Sequence, residues 1–223
     1  MRHIACRVEH PASAIAMEQE QRANRARFLL TLVVLVSFVS GCGHPKPIRY
    51  YEISYPPVGP AKLAPLDATL LVRSFTTSHL YREDRIVYGS DSEQMGTYMN
   101  ERWSEPPSEM LQYALVRELR ATGRFRTVTA LRSDSSGDFM LTGHLYDFKE
   151  VSGNGMVARL NFDAELRDLK AGKTVWTYTY NHDEPTNGKD VASVVAAMDK
   201  NVQRGVQEVE AGIQQALAAY PAK

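Results

Sequence analysis

Four short groups of residues carry types that could do chemistry. Cys42 follows Val39-Ser40-Gly41. A thiol there can ionise to a thiolate, which is the nucleophilic form, and the small residues before it let the backbone enter a protease cleft. Gly172-Lys173-Thr174 has the end of a phosphate-binding loop, but the loop needs a glycine at position 167, where Arg167 stands. His182-Asp183-Glu184 offers metal-ligand types. Three adjacent residues seldom aim at one ion, and Pro185 after them predicts a solvated loop. The other histidines after Cys42, at positions 44, 79 and 144, are scattered. Arg102-Trp103-x-x-Pro106-Pro107 has two readings: a partner-docking surface through Arg102 and Trp103, or a Trp plugging the core beside a helix start. The second reading is the simpler. No Gly-x-Ser-x-Gly occurs, and the only cysteines are Cys6 and Cys42. The expectation is a non-enzyme with no catalytic residue, no metal and no separate cofactor.

The residues before Cys42 form a leader. Arg22, Arg25 and Arg27 precede Phe28–Phe38 (FLLTLVVLVSF), which is free of charge. A basic stretch before an apolar run of this length is the signal-peptide pattern. As a helix the run reaches about 16 Å, short of a hydrocarbon layer ~30 Å thick. The run with Val39-Ser40-Gly41-Cys42 resembles the bacterial lipoprotein signal. That resemblance implies cleavage before Cys42, a diacylglyceryl thioether on its sulfur and an N-acyl (palmitate-type) chain on its freed amine. The alternative is an uncleaved anchor with a buried Cys42 thiol. With several acyl chains, each buried CH₂ contributing ~0.8 kcal/mol, attachment is effectively permanent. Gly43 stands where an Asp would mark inner-membrane retention in enteric-type sorting. By that analogy the protein is a periplasm-facing lipoprotein of the outer membrane. Met17 stands where a signal peptide of ordinary length begins, so Met1 and Met17 both remain as starts.

Composition frames the remainder. The chain has 223 residues, 26 Lys+Arg and 26 Asp+Glu, with 43% hydrophobic residues. This balance gives no electrostatic reason to expect nucleic acid, and it excludes wholesale disorder or a polytopic membrane protein. Six of the eleven prolines lie between Pro45 and Pro65. Such segments are extended and semi-rigid. Three parts follow: a signal peptide at 1–41, a lipidated Pro-rich tether with a short strand (Arg49–Ser54) at 42–67, and a domain at 68–223.

The elements of the domain follow from periodicity. Strand patterns lie at Leu70–Phe75, Arg85–Tyr88, Gly96–Trp103, Phe125–Ala130, Asp138–Phe148, Met156–Leu166 and Thr174–Tyr180. Met156–Leu166 alternates apolar and polar residues along its length, as a half-buried antiparallel strand does. Pro107 opens a helix to about Ala121, and Val191–Tyr220 carries apolar residues at three- and four-residue steps. The predicted class is α+β: an antiparallel meander sheet packed against two helices, the C-terminal one long, after the Pro-rich tether.

These pieces have a familiar order. Cys42 is followed by Tyr50-Tyr51-x-Ile53, then Arg85-Ile86-Val87-Tyr88, Tyr98, Arg102-Trp103-x-x-Pro106-Pro107, Met110-Leu111, Leu115, Leu119 and Gly123-Arg124-Phe125 leading into Val128. In this order the chain resembles the ABC-type transport auxiliary lipoprotein family, which includes the lipoprotein of the paraquat-inducible intermembrane transport system. Ile53, where the family often has Leu, and a longer, more polar Gly89–Met95 depart from the pattern. The resemblance implies a non-catalytic accessory subunit beside a permease and a mammalian-cell-entry-type tunnel protein that move lipid between membranes. Its implied partners are the membrane through its anchor, that tunnel or permease, a transported lipid, and other copies of itself in a homo-oligomer. A free-standing outer-membrane lipoprotein that binds a small ligand or assists envelope assembly is the alternative.

Overall fold

A computed structural model of the chain describes residues 22, 24, 25, 27, 28, 46–54, 65–90, 94–153 and 155–220. Contacts divide the chain into two units, Met1–Lys46 and Pro47–Lys223. In the first, Arg22, Asn24, Arg25, Arg27 and Phe28 are helical. Val39, Ser40, Gly41 and Cys42 lie outside the described residues, as does most of the stretch read as tether. Among the described residues, no helix is long and apolar enough to cross a membrane.

The second unit runs β1 (Arg49–Tyr51), β2 (Leu66–Val72), β3 (Thr76–Thr77), β4 (Arg85–Ser90), β5 (Met95–Trp103), α1 (Pro107–Ala121), β6 (Phe125–Ala130), β7 (Phe139–Ser152), β8 (Met156–Asp168), β9 (Lys173–Pro185) and α2 (Val191–Ala219). Local chemistry sets the helix ends. Pro107 needs no N–H partner in the first turn of α1. Gly123, at φ +62°, ends that helix where a side chain would be strained. At the start of α2, the Asp190 carboxylate accepts the Ser193 N–H at 2.9 Å.

The sheet corrects the expectation of an antiparallel meander. β7–β8–β9 is such a meander, and β4–β5 is antiparallel. However, β1 pairs parallel with β5, β2 parallel with both β6 and β7, and β3 and β4 parallel with β7. The sheet is mixed. Strand β7 is its spine. One edge carries β8 along its length, while the other meets β2, β3 and β4 in turn. Periodicity tells which residues of a strand are buried but not which strand lies beside it. The run Leu70-Leu71-Val72, buried throughout, is what a parallel central strand looks like.

The hydrophobic core lies between this sheet and the two helices. Helix α2 covers β8 and β9, and α1 packs on β6. Each helix is pinned by one buried amide. The Gln112 side-chain NH₂ donates to the Val72 carbonyl at 2.7 Å. Asn201 donates to the carbonyls of Ala158 (2.8 Å) and His182 (2.9 Å) and accepts the Tyr180 hydroxyl at 2.6 Å. Gly205 brings α2 close to the sheet: a Cβ there would stand 3.1 Å from the Phe162 ring and 3.2 Å from that of Tyr180.

Candidate functional site

The residues singled out in the sequence do not converge. Trp103 is 1% exposed and meets Phe148 edge-on, with ring centroids 5.3 Å apart. Arg102 folds back onto its own strand. It donates to the carbonyls of Tyr98 (2.9 Å) and Glu101 (3.2 Å), and its Nε lies 3.7 Å from Asp84. Trp103 thus faces the interior, and Arg102 lies against its own strand and Asp84.

Gly172-Lys173-Thr174 sits at the β8–β9 hairpin, where the Thr174 hydroxyl donates to Glu165 at 2.5 Å. His182, Asp183 and Glu184 lie in β9, not in the predicted loop, because the β8–β9 ladder continues to Pro185. Successive strand residues point to opposite faces. His182 and Glu184 therefore meet Arg204 of α2, at 2.6 and 3.0 Å, while Asp183 takes a two-pronged bond from Arg159 at 2.7 Å. That bond, chiefly, holds the Asp183 carboxyl below its ordinary range. His144 pairs with the Thr76 hydroxyl at 2.9 Å, and His79 lies 3.4 Å from Glu83. Among the described residues no group of three His, Cys, Asp or Glu is placed to hold a metal ion.

The functional candidate is instead a surface, the margin built from β1, β5 and β4. Its core side is anchored by buried carboxylates. Glu101, 7% exposed, accepts from Arg49 Nε at 3.0 Å and from Arg49 Nη2. Glu150, 3% exposed, accepts the Tyr98 hydroxyl at 2.6 Å and that of Ser152 at 2.9 Å. Burial, then the bond to Glu150, pushes the Tyr98 phenol far up; burial, then Glu101, raises that of Tyr51. Both tyrosines are held protonated, as donors, so the arrangement holds strands together rather than moving protons. Sequence reasoning missed Glu101 and Glu150. The signal available was an acidic residue alternating with large apolar ones near the end of a strand.

β1 belongs to this margin. Its parallel register sets Arg49 beside Glu101, Tyr50 beside Arg102 and Tyr51 beside Trp103. The Ser104 N–H donates to the Tyr51 carbonyl at 2.7 Å, and Ile53 just beyond is 1% exposed. Large apolar side chains along the margin are open to solvent: Ile48, Tyr50, Tyr88, Met95 and Met99 are exposed, Met99 at 82%. Elsewhere, α1 carries a shallow groove of about 460 Å³ lined by Tyr113, Val116, Arg117, Arg120 and Ala121.

A family model described as ABC-type transport auxiliary lipoprotein component matches residues 51–210. No curated protein matches the sequence. Among solved structures, a Xanthomonas campestris protein of the DUF330 family superposes with a TM-score of 0.66 at 20% identity, covering 74% of this chain and 94% of that one. An uncharacterised protein superposes with a TM-score of 0.60 at 14% identity, over 75% and 99%. At such identities these neighbours share the fold. A PelC dodecamer from Paraburkholderia phytofirmans is a more distant likeness, with a TM-score of 0.42 at 17% identity over 66% and 90%.

Proposed function

We propose, from the premise that this chain belongs to the ABC-type transport auxiliary lipoprotein family, that it is the lipid-anchored, non-catalytic accessory subunit of a mammalian-cell-entry-type intermembrane lipid transport system. The family itself is an auxiliary component of transport and a lipoprotein of the envelope. The finer reading is ours: Cys42 carries the diacylglyceryl and N-acyl chains after cleavage beyond Val39-Ser40-Gly41, the anchor sits in the outer membrane, and the folded unit docks from the periplasm on a tunnel or permease subunit that handles the lipid.

The family match over 51–210 is the observation that carries this reading. The fold is consistent with it. The buried carboxylates hold strands together, and His182, Asp183 and Glu184 of β9 are spent on contacts with Arg204 of α2 and Arg159 of β8. A body of this kind acts by binding.

The test is affinity recovery of the full-length lipoprotein from detergent-solubilised envelopes. A permease or tunnel subunit should come with it. Recovery without either overturns the proposed system while leaving the family assignment in place.

A further inference from the structure

The opposite border of the sheet is an edge with a groove beside it. Strand β6 pairs with β2 and, among the described residues, with no other strand. The Leu131 N–H donates to the Val72 carbonyl at 2.8 Å, and Val72 stands beside Ala130 in the register. In a parallel ladder alternate residues turn both backbone groups toward the neighbouring strand, and those between turn theirs away. Thr127, Thr129 and Leu131 therefore bond toward β2, while the N–H and C=O groups of Arg126, Val128 and Ala130 face away from it. One bond bears out that direction: Arg120 Nε of α1 donates to the Val128 carbonyl at 2.7 Å.

The groove on α1 lies at this edge, because Arg120 lines it as well. Its residues, Tyr113, Val116, Arg117, Arg120 and Ala121, follow a three- and four-residue spacing and form one stripe along the helix. Val116 among them is buried, while Arg117 and Arg120 are exposed. Arg126, also exposed, adds a third cation from the strand itself, and its ion pair with the exposed Asp67 at 2.8 Å is of the weak surface kind. A row of backbone donors and acceptors beside a groove for side chains is the arrangement that accepts an added strand. The ladder supplies affinity, and the groove selects alternate side chains.

We propose that an extended, acidic segment of a partner protein adds to β6 as a further strand, its backbone bonding Arg126, Val128 and Ala130 and its alternate side chains entering the α1 groove. The choice of occupant follows from Arg120. An incoming N–H takes over the Val128 carbonyl and releases the guanidinium at the groove, beside Arg117. A carboxylate there replaces the bond that Arg120 gave up, and charge-assisted pairs of this kind are the stronger ones. A neutral or basic segment offers no such exchange. The inference takes from the proposed function only that the partner is a protein, and it gives that docking a place without needing the lipid on Cys42.

The test uses the full-length lipoprotein in detergent micelles with two synthetic probes, acetyl-Val-Glu-Val-Glu-Val-Glu-amide and its Gln counterpart. Hydrogen exchange is read by mass spectrometry at single-residue resolution. At millimolar Glu peptide the amides of Arg126, Val128 and Ala130 should exchange about tenfold more slowly, while those of β9, another edge strand, stay unchanged. Arg117→Glu, checked to melt as the parent chain does, should weaken binding of that peptide about tenfold. If Arg117→Glu fails to fold, the Gln peptide carries the comparison: binding it as tightly as the Glu peptide overturns the proposal. Absence of protection at β6 overturns it, and so does equal protection at β9, which would be the general stickiness of an edge. Protection at β6 that grows with protein concentration in the absence of peptide also overturns it, because a second copy then covers the edge. Each of these failures leaves the transport reading standing, since that reading rests on recovery of a subunit from envelopes.

Discussion

Two regions of the folded unit are built on opposite plans. In the β7–β8–β9 meander, the face that α2 covers is committed throughout. Ala158, Leu160, Phe162, Ala164 and Leu166 are at most 2% exposed, and Tyr180 and Asn201 satisfy each other. The β1–β5–β4 margin is braced through Trp103, Glu101 and Glu150, yet it leaves Met99 and Tyr50 in solvent. The difference teaches where stability and function part. A surface that closes its own polar groups and buries its own apolar ones has nothing left to offer a partner. One that is firmly braced yet apolar outside does.

Substitutions can break this contrast, and the largest effect falls where the margin joins the core. Trp103→Ala should cost about 3–5 kcal/mol, because a fully buried indole leaves a cavity against Phe148. Urea denaturation with matched m-values measures it. An effect below about 1 kcal/mol would mean that Trp103 is not the brace described here.

Next in size is the seat of α2. Asn201→Ala strips partners from the Tyr180 hydroxyl and from the carbonyls of Ala158 and His182, all reached by one side chain. Leaving buried groups unsatisfied costs about 1–3 kcal/mol, so the same denaturation series should place it below Trp103→Ala.

Asp199 sharpens the comparison from the other direction. Burial, the leading cause, raises its carboxyl above the ordinary range, against a bond from Gln203 that lowers it. A folded-state value above the unfolded one means that the group favours folding at low pH and loses that contribution as pH rises through the folded value. At neutral pH the ionised Asp199 is therefore a liability of the α2 side. Asp199→Asn should melt higher than the parent chain at pH 7, with the gap closing as pH falls through the raised folded-state value toward the ordinary aspartate value of about 4. A gap that stays constant with pH would refute the assignment.

The smallest expected change in stability is at the open end. Met99→Asp should alter the unfolding free energy by no more than about 0.5 kcal/mol, since the side chain is 82% exposed. A large loss of stability would show that the margin's outer side belongs to the core after all.

Much of the local structure was legible. Helix α1 was predicted at Pro107–Ala121 and β6 at Phe125–Ala130, as observed, because a proline start, a glycine end and strand-forming residues between turns are local signals. Helix α2 differs from its predicted span only in the last residue, Tyr220. The strands β7 to β9 ran longer than predicted, since ladders extend polar stretches such as Asn181–Glu184 that no hydrophobic pattern marks. The candidate site was less legible. Trp103 stands out by its type, but its burial follows from Phe148, 45 positions downstream. Glu101 and Glu150 were not noticed at all, because what makes them informative is burial beside distant donors, Arg49 and Tyr98.

Composition, periodicity and end signals were enough for the α+β class, the two helices and the alternating strands, since each is written within a dozen neighbouring residues. The parallel alignment of β1 with β5 was settled only when segments about fifty positions apart came together. Hydrogen-bond ladders join backbones without regard to side-chain sequence, so the choice of neighbour belongs to the packing of the whole body.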